Sequence, residues 1–182
     1  RGQFEAAFNC HKEALELRVA NGDRWGVIVS RNNLAVLAFE QGVLGPFYDK
    51  MTRAVRGVTE NGIVFRENSY FCNMGIPCDA LPVEGLSGRE PLQAFSPHGY
   101  DLVVDTDALA LASNARVDVI FEAHRAAQLR LDVPVMVGEW GAFGRDPDVL
   151  DHARHIMDLF DSWGWSNTYW CYQGCFGTMP VT

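Results

Sequence analysis

Residues 134–141 read PVMVGEWG, and this stretch decides how the rest of the chain is interpreted. It opens with a short apolar run and closes on a glycine, a carboxylate and a tryptophan, which is typical of a strand buried in a parallel sheet. A parallel strand needs a crossover helix before it. The preceding residues predict one, because six of them share a single helical face: Val117, Ile120, Phe121, His124, Ala127 and Leu131.

The same alternation of helices and short apolar strands continues on both sides of this stretch. Residues 46–58 read as a helix that begins with proline, and residues 62–65 follow as a strand. Residues 95–104 hold the next strand and its exit loop, and residues 167–172 form the last strand. Residues 147–163 are predicted as a helix that turns five side chains inward: Leu150, Ala153, Ile156, Met157 and Phe160. This order predicts a parallel α/β fold.

Residues 1–43 follow a different pattern. Residues 3–20 and 24–41 each repeat apolar side chains at helical spacing. Residues 21–23 between them read Asn, Gly, Asp, which suits a left-handed C-cap followed by the N-cap of the next helix. Gly42 is expected to end the second helix. The segment is therefore predicted to form an αα-hairpin.

This hairpin resembles one unit of a long-form tetratricopeptide repeat. About 40 residues carry the resemblance, whereas repeat units are stable only when roughly three or more are stacked. Two interpretations follow: a protein-binding scaffold, or a hairpin that packs on the segment after it, and an isolated unit favours the second. The matching positions are Gly2, Phe4, Ala7, 13–15 (EAL), 22–24 (GDR), Gly26, 33–35 (NLA) and Gly42.

The composition excludes several classes of protein. The 182 residues carry 15 Lys and Arg against 23 Asp and Glu, a net charge of -8, so binding to a phosphate backbone has no electrostatic support. No apolar stretch approaches the ~20 residues that a transmembrane helix needs. We therefore expect neither a nucleic-acid partner nor a transmembrane segment, and no residue pattern calls for a cofactor.

Polar and aromatic side chains recur where the predicted strands end. Glu67 follows the first strand, His98 and Tyr100 follow the second, Glu139 follows the third, and Trp170 lies in the last. The carboxyl ends of parallel strands meet at one edge of a sheet, where active sites of such folds are built. We therefore expect these five side chains to share one site.

Three segments at those positions, 96–100 (SPHGY), 137–141 (VGEWG) and 168–170 (TYW), resemble the sixth, seventh and eighth strand signatures of family-five glycoside hydrolases. The order along the chain also matches. Within that family the segments 45–48 (GPFY), 73–77 (NMGIP) and 97–101 (PHGYD) are most similar to the branch that contains endoglycosylceramidases, with a cellulase-like relative as the alternative. The resemblance covers residues 44–182.

The resemblance implies a role for each site residue. Glu139 matches the nucleophile that forms a covalent glycosyl-enzyme, and His98 and Tyr100 match the pair that holds this carboxylate and binds the sugar. Trp170 matches the aromatic platform beside the cleavage point. Glu67 has no firm role in the family and is placed with Trp170 among substrate-binding residues.

The resemblance also implies a missing part. Retaining glycosidases need a second carboxyl group ~5 Å from the nucleophile, which this family carries in an Asn-Glu-Pro motif at the end of its fourth strand. The sequence has no Asn-Glu-Pro. We therefore expect residues 44–182 to form strands five to eight of a (β/α)8 barrel, joined to the hairpin of residues 1–43, and to be inactive alone. The alternatives are a non-catalytic binding scaffold and a chimeric chain without selected function.

Two further clusters are given structural interpretations. His152 and His155, near Asp148 and Asp151, are interpreted as a solvated helix face rather than a metal site. Five cysteines leave at least one unpaired within the chain; Cys72 with Cys78, or Cys171 with Cys175, could close small disulfide loops, and free thiols are equally compatible with the spacing. No zinc site is expected, because neither spacing is a CxxC pair.

Overall fold

The computed structural model describes residues 2–76, 80–104, 106, 108–143 and 149–170. Its helices are α1 (Gly2–Ala20), α2 (Arg24–Phe39), α3 (Gly45–Arg56), α4 (Asn114–Leu131) and α5 (Leu150–Trp163). Its strands are β1 (Val64–Arg66), β2 (Gln93–Phe95), β3 (His98–Gly99), β4 (Met136–Gly141) and β5 (Ser166–Trp170). Within these ranges, the helices all fall short of the length and apolar character that a bilayer crossing requires.

All pairings between these strands are parallel. β1 pairs with β2, and β3, β4 and β5 pair in that order. Phe95 of β2 joins the two sheets: it bridges to Val135, and its amide donates to the Pro134 carbonyl at 2.9 Å. β2 and β3 are thus two short consecutive strands that together lie between β1 and β4. The predicted parallel α/β arrangement is confirmed.

Helix α4 covers one face of this sheet. Its buried residues are the six predicted from the sequence: Val117, Ile120, Phe121, His124, Ala127 and Leu131. The Phe121 ring meets the Phe160 ring of α5 edge-on, with centroids 4.9 Å apart. The core between the helices and the sheet also contains Phe95, Val137 and Trp140.

Helix α5 buries a different face from the predicted one. Ile156 and Phe160 are buried as expected, but Leu150 and Met157 are 57% and 48% exposed. His152 is buried instead, so its assignment to a solvated face was wrong. The reason is that the His152 ring packs edge-on against the Phe143 ring at 5.4 Å, while its Nδ1 lies 2.7 Å from the Asn114 side-chain oxygen.

Helices α1 and α2 are joined by a three-residue turn. The Asp23 carboxylate accepts a hydrogen bond from the Gly26 amide at 2.8 Å, as the N-cap prediction requires. The Arg18 guanidinium of α1 donates to the Ser30 hydroxyl at 2.8 Å and to the Gly26 carbonyl at 3.1 Å. Much of the apolar surface of α2 faces solvent: Trp25 is 74% exposed and Ile28 58%.

The second helix does not end at Gly42, which corrects the sequence prediction. Residues 40–44 form a π-helical turn that leads directly into α3, and Leu44 keeps right-handed helical angles. Pro46 lies in the first turn of α3, where it lacks an amide proton and crowds the carbonyl four residues earlier. A wider π turn relieves that crowding without ending the helix. The predicted domain boundary, between residues 43 and 44, therefore falls inside a helical segment.

The long segment after β1 is tied to α3. Arg56 and Glu90 form a two-pronged ion pair with both N–O distances at 2.9 Å, and their side chains are only 8% and 3% exposed. Hydrogen bonding from Arg56 lowers the pKa of Glu90 below its usual range. The Arg53 guanidinium adds a hydrogen bond to the Gly85 carbonyl at 3.1 Å. These contacts fix the segment that leads from β1 to β2.

Candidate active site

Four of the five predicted site residues meet at the carboxyl ends of the strands. Glu67 is the first residue after β1, His98 opens β3, and Tyr100 follows β3. Glu139 lies in β4, directly opposite His98 in the parallel register. The pairing of β4 with β5 is irregular between Val137 and Trp140, and such a bulge changes the direction of the side chains beyond it.

The polar contacts among these four residues centre on one carboxylate oxygen and one ring nitrogen. Tyr100 Oη donates a hydrogen bond to Glu139 Oε2 at 2.7 Å. His98 Nδ1 lies 3.4 Å from Glu139 Oε2 and 3.6 Å from Glu67 Oε1. The side chains of Glu139 and Glu67 are 35% and 44% exposed, so both carboxylates are accessible from solvent.

Glycines make room for this arrangement. A Cβ on Gly138 would lie 2.7 Å from Nε2 of His98 and 3.1 Å from the Ser96 hydroxyl. A Cβ on Gly99 would come within 2.6 Å of the Phe121 ring, which belongs to α4. Gly141 adopts φ +108, a conformation that L side chains rarely take, and lies against the Tyr169 ring. Close packing of the imidazole and of the strand ends therefore requires glycine at these positions.

Trp170 closes β5, opposite Gly141 in the register and so two residues beyond Glu139 along the strand direction. The Ala142 amide donates to the Trp170 carbonyl at 2.6 Å, which fixes the backbone at the point where β4 ends. The side chain is 38% exposed. Trp170 thus lies at the same edge of the sheet as the polar residues.

Buried polar side chains that the sequence did not indicate hold the backbone of His98. The Asn73 side-chain oxygen accepts from the His98 amide at 3.2 Å, and His124 Nε2 lies 2.9 Å from the His98 carbonyl. Asn68 approaches the other ring nitrogen of His124 at 3.4 Å through its amide nitrogen. An amide nitrogen only donates, so Nδ1 accepts and the Nε2 proton is donated to the carbonyl.

His124 is neutral near pH 7. Its side chain is buried, and burial lowers the pKa to about 4 despite the hydrogen bond to the His98 carbonyl, which opposes the shift. The helical periodicity of α4 placed His124 on the inward face, but nothing in the sequence indicated its bond to the backbone of a site residue. The imidazole is therefore a fixed support, not a titrating group, at neutral pH.

Tyr48 of α3 also reaches the site, which the sequence did not indicate. Its hydroxyl oxygen accepts a hydrogen bond from the Glu67 amide at 3.0 Å. The guanidinium of Arg66, a buried residue, lies 5.6 Å from the centre of the Tyr48 ring, within cation–π range. The first helix of the α/β segment thus holds the end of β1, and with it Glu67.

The chain beyond Tyr100 is anchored by Asp101, which is fully buried. Its carboxylate accepts from the Val103 and Ser113 amides at 3.0 and 2.8 Å and from the Arg116 guanidinium at 3.0 Å. Burial alone would raise the pKa of Asp101, but these hydrogen bonds outweigh it and hold the pKa below its usual value. The backbone that carries Tyr100 is therefore fixed on its C-terminal side.

The site is equipped for nucleophilic or acid–base chemistry by carboxylates. Across the described ranges, no group of three or more His, Cys, Asp or Glu side chains is close enough to hold a metal ion. His155 is 2.6 Å from Asp118, and Asp148 lies outside the described residues. Cys78, Cys171 and Cys175 also lie outside them, while the Cys72 sulfur is 3.4 Å from the Ser69 hydroxyl.

Neither a protein-family model nor a curated protein matches the sequence. Solved structures do match: the complex of endo-glycoceramidase II from Rhodococcus sp. with a five-membered iminocyclitol shares 28% identity at a TM-score of 0.62. The structure titled as the lactosyl-enzyme intermediate of the same protein shares 27% identity at 0.62, and its ganglioside GM3 complex 25% at 0.57.

Each of these matches covers 75% of this chain. The chain in turn spans about a third of each solved structure, 31% to 32%. The likeness therefore concerns one part of a longer enzyme. Over three quarters of its length, the chain is structurally similar to an endo-glycoceramidase.

Proposed function

We propose that this chain carries the nucleophile half of a retaining β-glycosidase site that acts on O-glycosyl bonds of a glycolipid, with a β-glucan as the alternative substrate. The observation that supports this most directly is the environment of Glu139. Glu139 lies in the parallel strand β4, and its carboxylate accepts a 2.7 Å hydrogen bond from Tyr100 and lies 3.4 Å from His98. One structural neighbour was solved as a lactosyl-enzyme intermediate, a covalent species of the kind such a carboxylate forms.

In this proposal Glu139 attacks the anomeric carbon of the sugar. A bond forms between its carboxylate oxygen and that carbon while the bond to the leaving oxygen breaks, which leaves a glycosyl ester. The Tyr100 hydroxyl holds the carboxylate in position through its 2.7 Å hydrogen bond to Oε2. His98 lies beside the same oxygen, with Nδ1 3.4 Å away.

Trp170 and Glu67 are assigned to substrate binding. Trp170, exposed at the end of β5, offers an aromatic face for a sugar ring. Glu67 lies 3.6 Å from the same His98 nitrogen and is the more exposed of the two carboxylates. Hydroxyl groups of the sugar are natural donors to such a carboxylate.

The fold that suits this assignment is the second half of an eight-stranded α/β barrel, residues 44–182, with residues 1–43 as a tetratricopeptide-like hairpin. The acid that protonates the leaving group would belong to the other half, since the sequence has no Asn-Glu-Pro. General acid assistance contributes typically ~10² to 10⁴-fold in rate. We therefore expect no measurable turnover of a natural glycolipid by these 182 residues alone.

The test is covalent labelling with an activated 2-deoxy-2-fluoro aryl glycoside, whose leaving group needs little protonation. We expect slow mass labelling of the full chain, located at Glu139 by peptide mass spectrometry and absent in Glu139→Gln. Tyr100→Phe should label at least about tenfold more slowly, because the hydrogen bond that holds the carboxylate is lost. Labelling that persists in Glu139→Gln would refute the assignment of the nucleophile.

A second candidate function is supported by the surface of α2. Trp25, Ile28 and Phe39 are 74%, 58% and 45% exposed, as expected of a helix that stacks on another repeat or on a protein partner. In this alternative the hairpin binds a protein and the α/β segment is not catalytic. An absence of labelling at Glu139, together with stable binding of a repeat protein through α2, would favour it.

A further inference from the structure

We propose that Glu67 and Glu139 are alternative acceptors for one proton, the proton on Nδ1 of His98, and that Glu67 takes over this proton when Glu139 loses its charge. Glu67 is then a positioning residue, which acts through His98. Its part in the catalytic cycle rests on the proposed function, whereas the sharing of the proton does not.

Both carboxylates approach the same nitrogen of the imidazole. Nδ1 is 3.4 Å from Glu139 Oε2 and 3.6 Å from Glu67 Oε1, so the two oxygens are at most about 7 Å apart. Both contacts are somewhat longer than an ordinary N–H···O hydrogen bond, so the ring is committed to neither oxygen. Bonds of this kind often tighten only when a ligand binds. A small change at either carboxylate can therefore shift the proton's partner.

The rest of His98 is held in place, so the ring cannot simply follow one carboxylate. Its amide donates to Asn73 and its carbonyl accepts from His124. Its Nε2 edge lies against Gly138, where a single added carbon would come within 2.7 Å of that nitrogen. With the backbone anchored and one edge packed, the variable part of this arrangement is the charge on each side of Nδ1.

The two carboxylates differ in what else they bind. Glu139 Oε2 also accepts the Tyr100 hydroxyl at 2.7 Å, so its charge is already shared between two donors. Glu67 is held through its backbone by Tyr48, and its carboxylate, on a side chain that is 44% exposed, lies 3.6 Å from Nδ1 of His98. Among the described residues, the ionisable side chains in contact with His98 are Glu67 after β1, Glu139 in β4 and His124 in α4, while Tyr100 contacts Glu139.

The need for a second acceptor arises from the proposed covalent step. When Glu139 forms an ester with the sugar, its carboxylate becomes neutral, while His98 keeps its Nδ1 proton. A partly buried donor that loses its charged acceptor is destabilised unless another acceptor replaces it. Glu67 forms no bond to the sugar, so its carboxylate still offers an acceptor to Nδ1. It would therefore keep the ring oriented until the ester is hydrolysed.

The first test follows the proton directly. The full chain is labelled with ¹⁵N-histidine, and the protonation of His98 Nδ1 is measured by NMR in mildly alkaline buffer. We compare Glu67→Ala, Glu139→Ala and the double variant, with the exposed α4 residue in Glu122→Ala as the matched control for loss of one negative charge. Both site carboxylates are substantially exposed, so these variants should fold, and thermal melting of each checks this.

Each single variant should retain the Nδ1 proton to within about twofold, because one charged acceptor remains, and the double variant should lose it by about tenfold or more. Such non-additivity is the mark of two acceptors that share one donor. Loss of the proton in Glu139→Ala alone, or its retention in the double variant, would overturn the proposal. Glu67→Gln, which keeps the size of the side chain, replaces Glu67→Ala if that variant melts early.

The second test examines the cycle. In the wild-type 2-fluoroglycosyl adduct His98 should keep its Nδ1 proton, and in the adduct of Glu67→Ala it should lose it, with hydrolysis of the ester slowed about tenfold. An equal proton signal and lifetime in both adducts would refute the catalytic part. If the wild-type chain forms no adduct, the proposed function fails, while the NMR comparison of the free variants still decides whether Glu67 and Glu139 share the proton.

Discussion

Helices α2 and α4 show similar apolar periodicity, yet they differ in how much of the apolar face is buried. α4 lies on the parallel sheet and buries all six of its inward residues. α2 leaves Trp25 and Ile28 more than half exposed, and its buried positions include Ser30, Val36 and Leu37. An amphipathic pattern therefore predicts which face of a helix is favoured for burial, but whether that face is buried depends on a surface to pack against.

The two helices also differ in their contacts with the candidate site. α4 touches the candidate site twice, through His124 behind His98 and through Phe121 against Gly99. α2 presents an apolar surface, and Arg18 of α1 donates hydrogen bonds to its Ser30 hydroxyl and its Gly26 carbonyl. The candidate site is thus supported by the packed helix, whereas the exposed helix contributes no described contact to it.

Truncation in α4 should have the largest effect on stability. Phe121→Ala removes a fully buried ring that contacts Phe160 and lies against β3, and we expect a loss of about 3 to 5 kcal/mol in the free energy of unfolding. Urea denaturation followed by circular dichroism measures it. A loss below about 1 kcal/mol would mean that α4 is not the packed helix of this comparison.

Acid should reveal the burial of His124. Its pKa is lowered from 6.5 to about 4, so between these two pH values His124 is mostly protonated in the unfolded chain and mostly neutral in the folded chain. The contribution is complete above pH 6.5 and is lost as the pH falls toward 4, to a total of about 3 kcal/mol. Unfolding free energies measured at successive pH values should show this slope, and it should be shallower in His124→Gln.

The control for this prediction is His11→Gln, which removes a histidine from α1 and should leave the slope unchanged. His152 adds a smaller slope of the same sign, because burial lowers its pKa too. The difference between wild type and His124→Gln isolates the contribution of His124. Equal slopes in both proteins would show that this imidazole is protonated without strain on the fold.

The smallest effect is expected in α2. Trp25→Ala removes a ring that is 74% exposed, and we expect the free energy of unfolding to change by no more than about 0.5 kcal/mol, as at most surface positions. The same denaturation measurement provides a direct comparison with Phe121→Ala. A loss above 2 kcal/mol would place Trp25 inside an interface and remove the contrast between the two helices.

The sequence predicted the parts of the fold that follow from local periodicity. The inward face of α4 was correct because its buried residues are spaced three or four apart along the whole helix. In α5 the prediction was wrong at Leu150 and Met157, because His152 replaces an apolar residue on the buried face. Hydropathy alone does not reveal a histidine that is stabilised by an aromatic edge and an asparagine oxygen.

For the site, the parallel topology was enough to place Glu67, His98 and Glu139 at one edge, since strand ends converge there. The supporting contacts could not be predicted in the same way. Tyr48, Asn73 and His124 reach the site from α3, from the loop after β1 and from α4. Each contact joins residues 19 to 26 positions apart, a separation at which neither helical nor strand periodicity carries information.

The π-helical turn at residues 40–44 has a mechanical consequence. Because it joins α2 to α3 without an extended linker, a rotation of α2 about its axis is passed on to α3. Each residue inserted into or deleted from this junction would rotate one end by about 100° relative to the other and shift it by about 1.5 Å. The orientation of the exposed surface of α2 is thus coupled to the position of Tyr48 and, through the Tyr48 hydrogen bond, to that of Glu67. A rotation of α2 would therefore be carried through α3 to Tyr48 and to the end of β1, roughly 30 to 40 residues further along the chain.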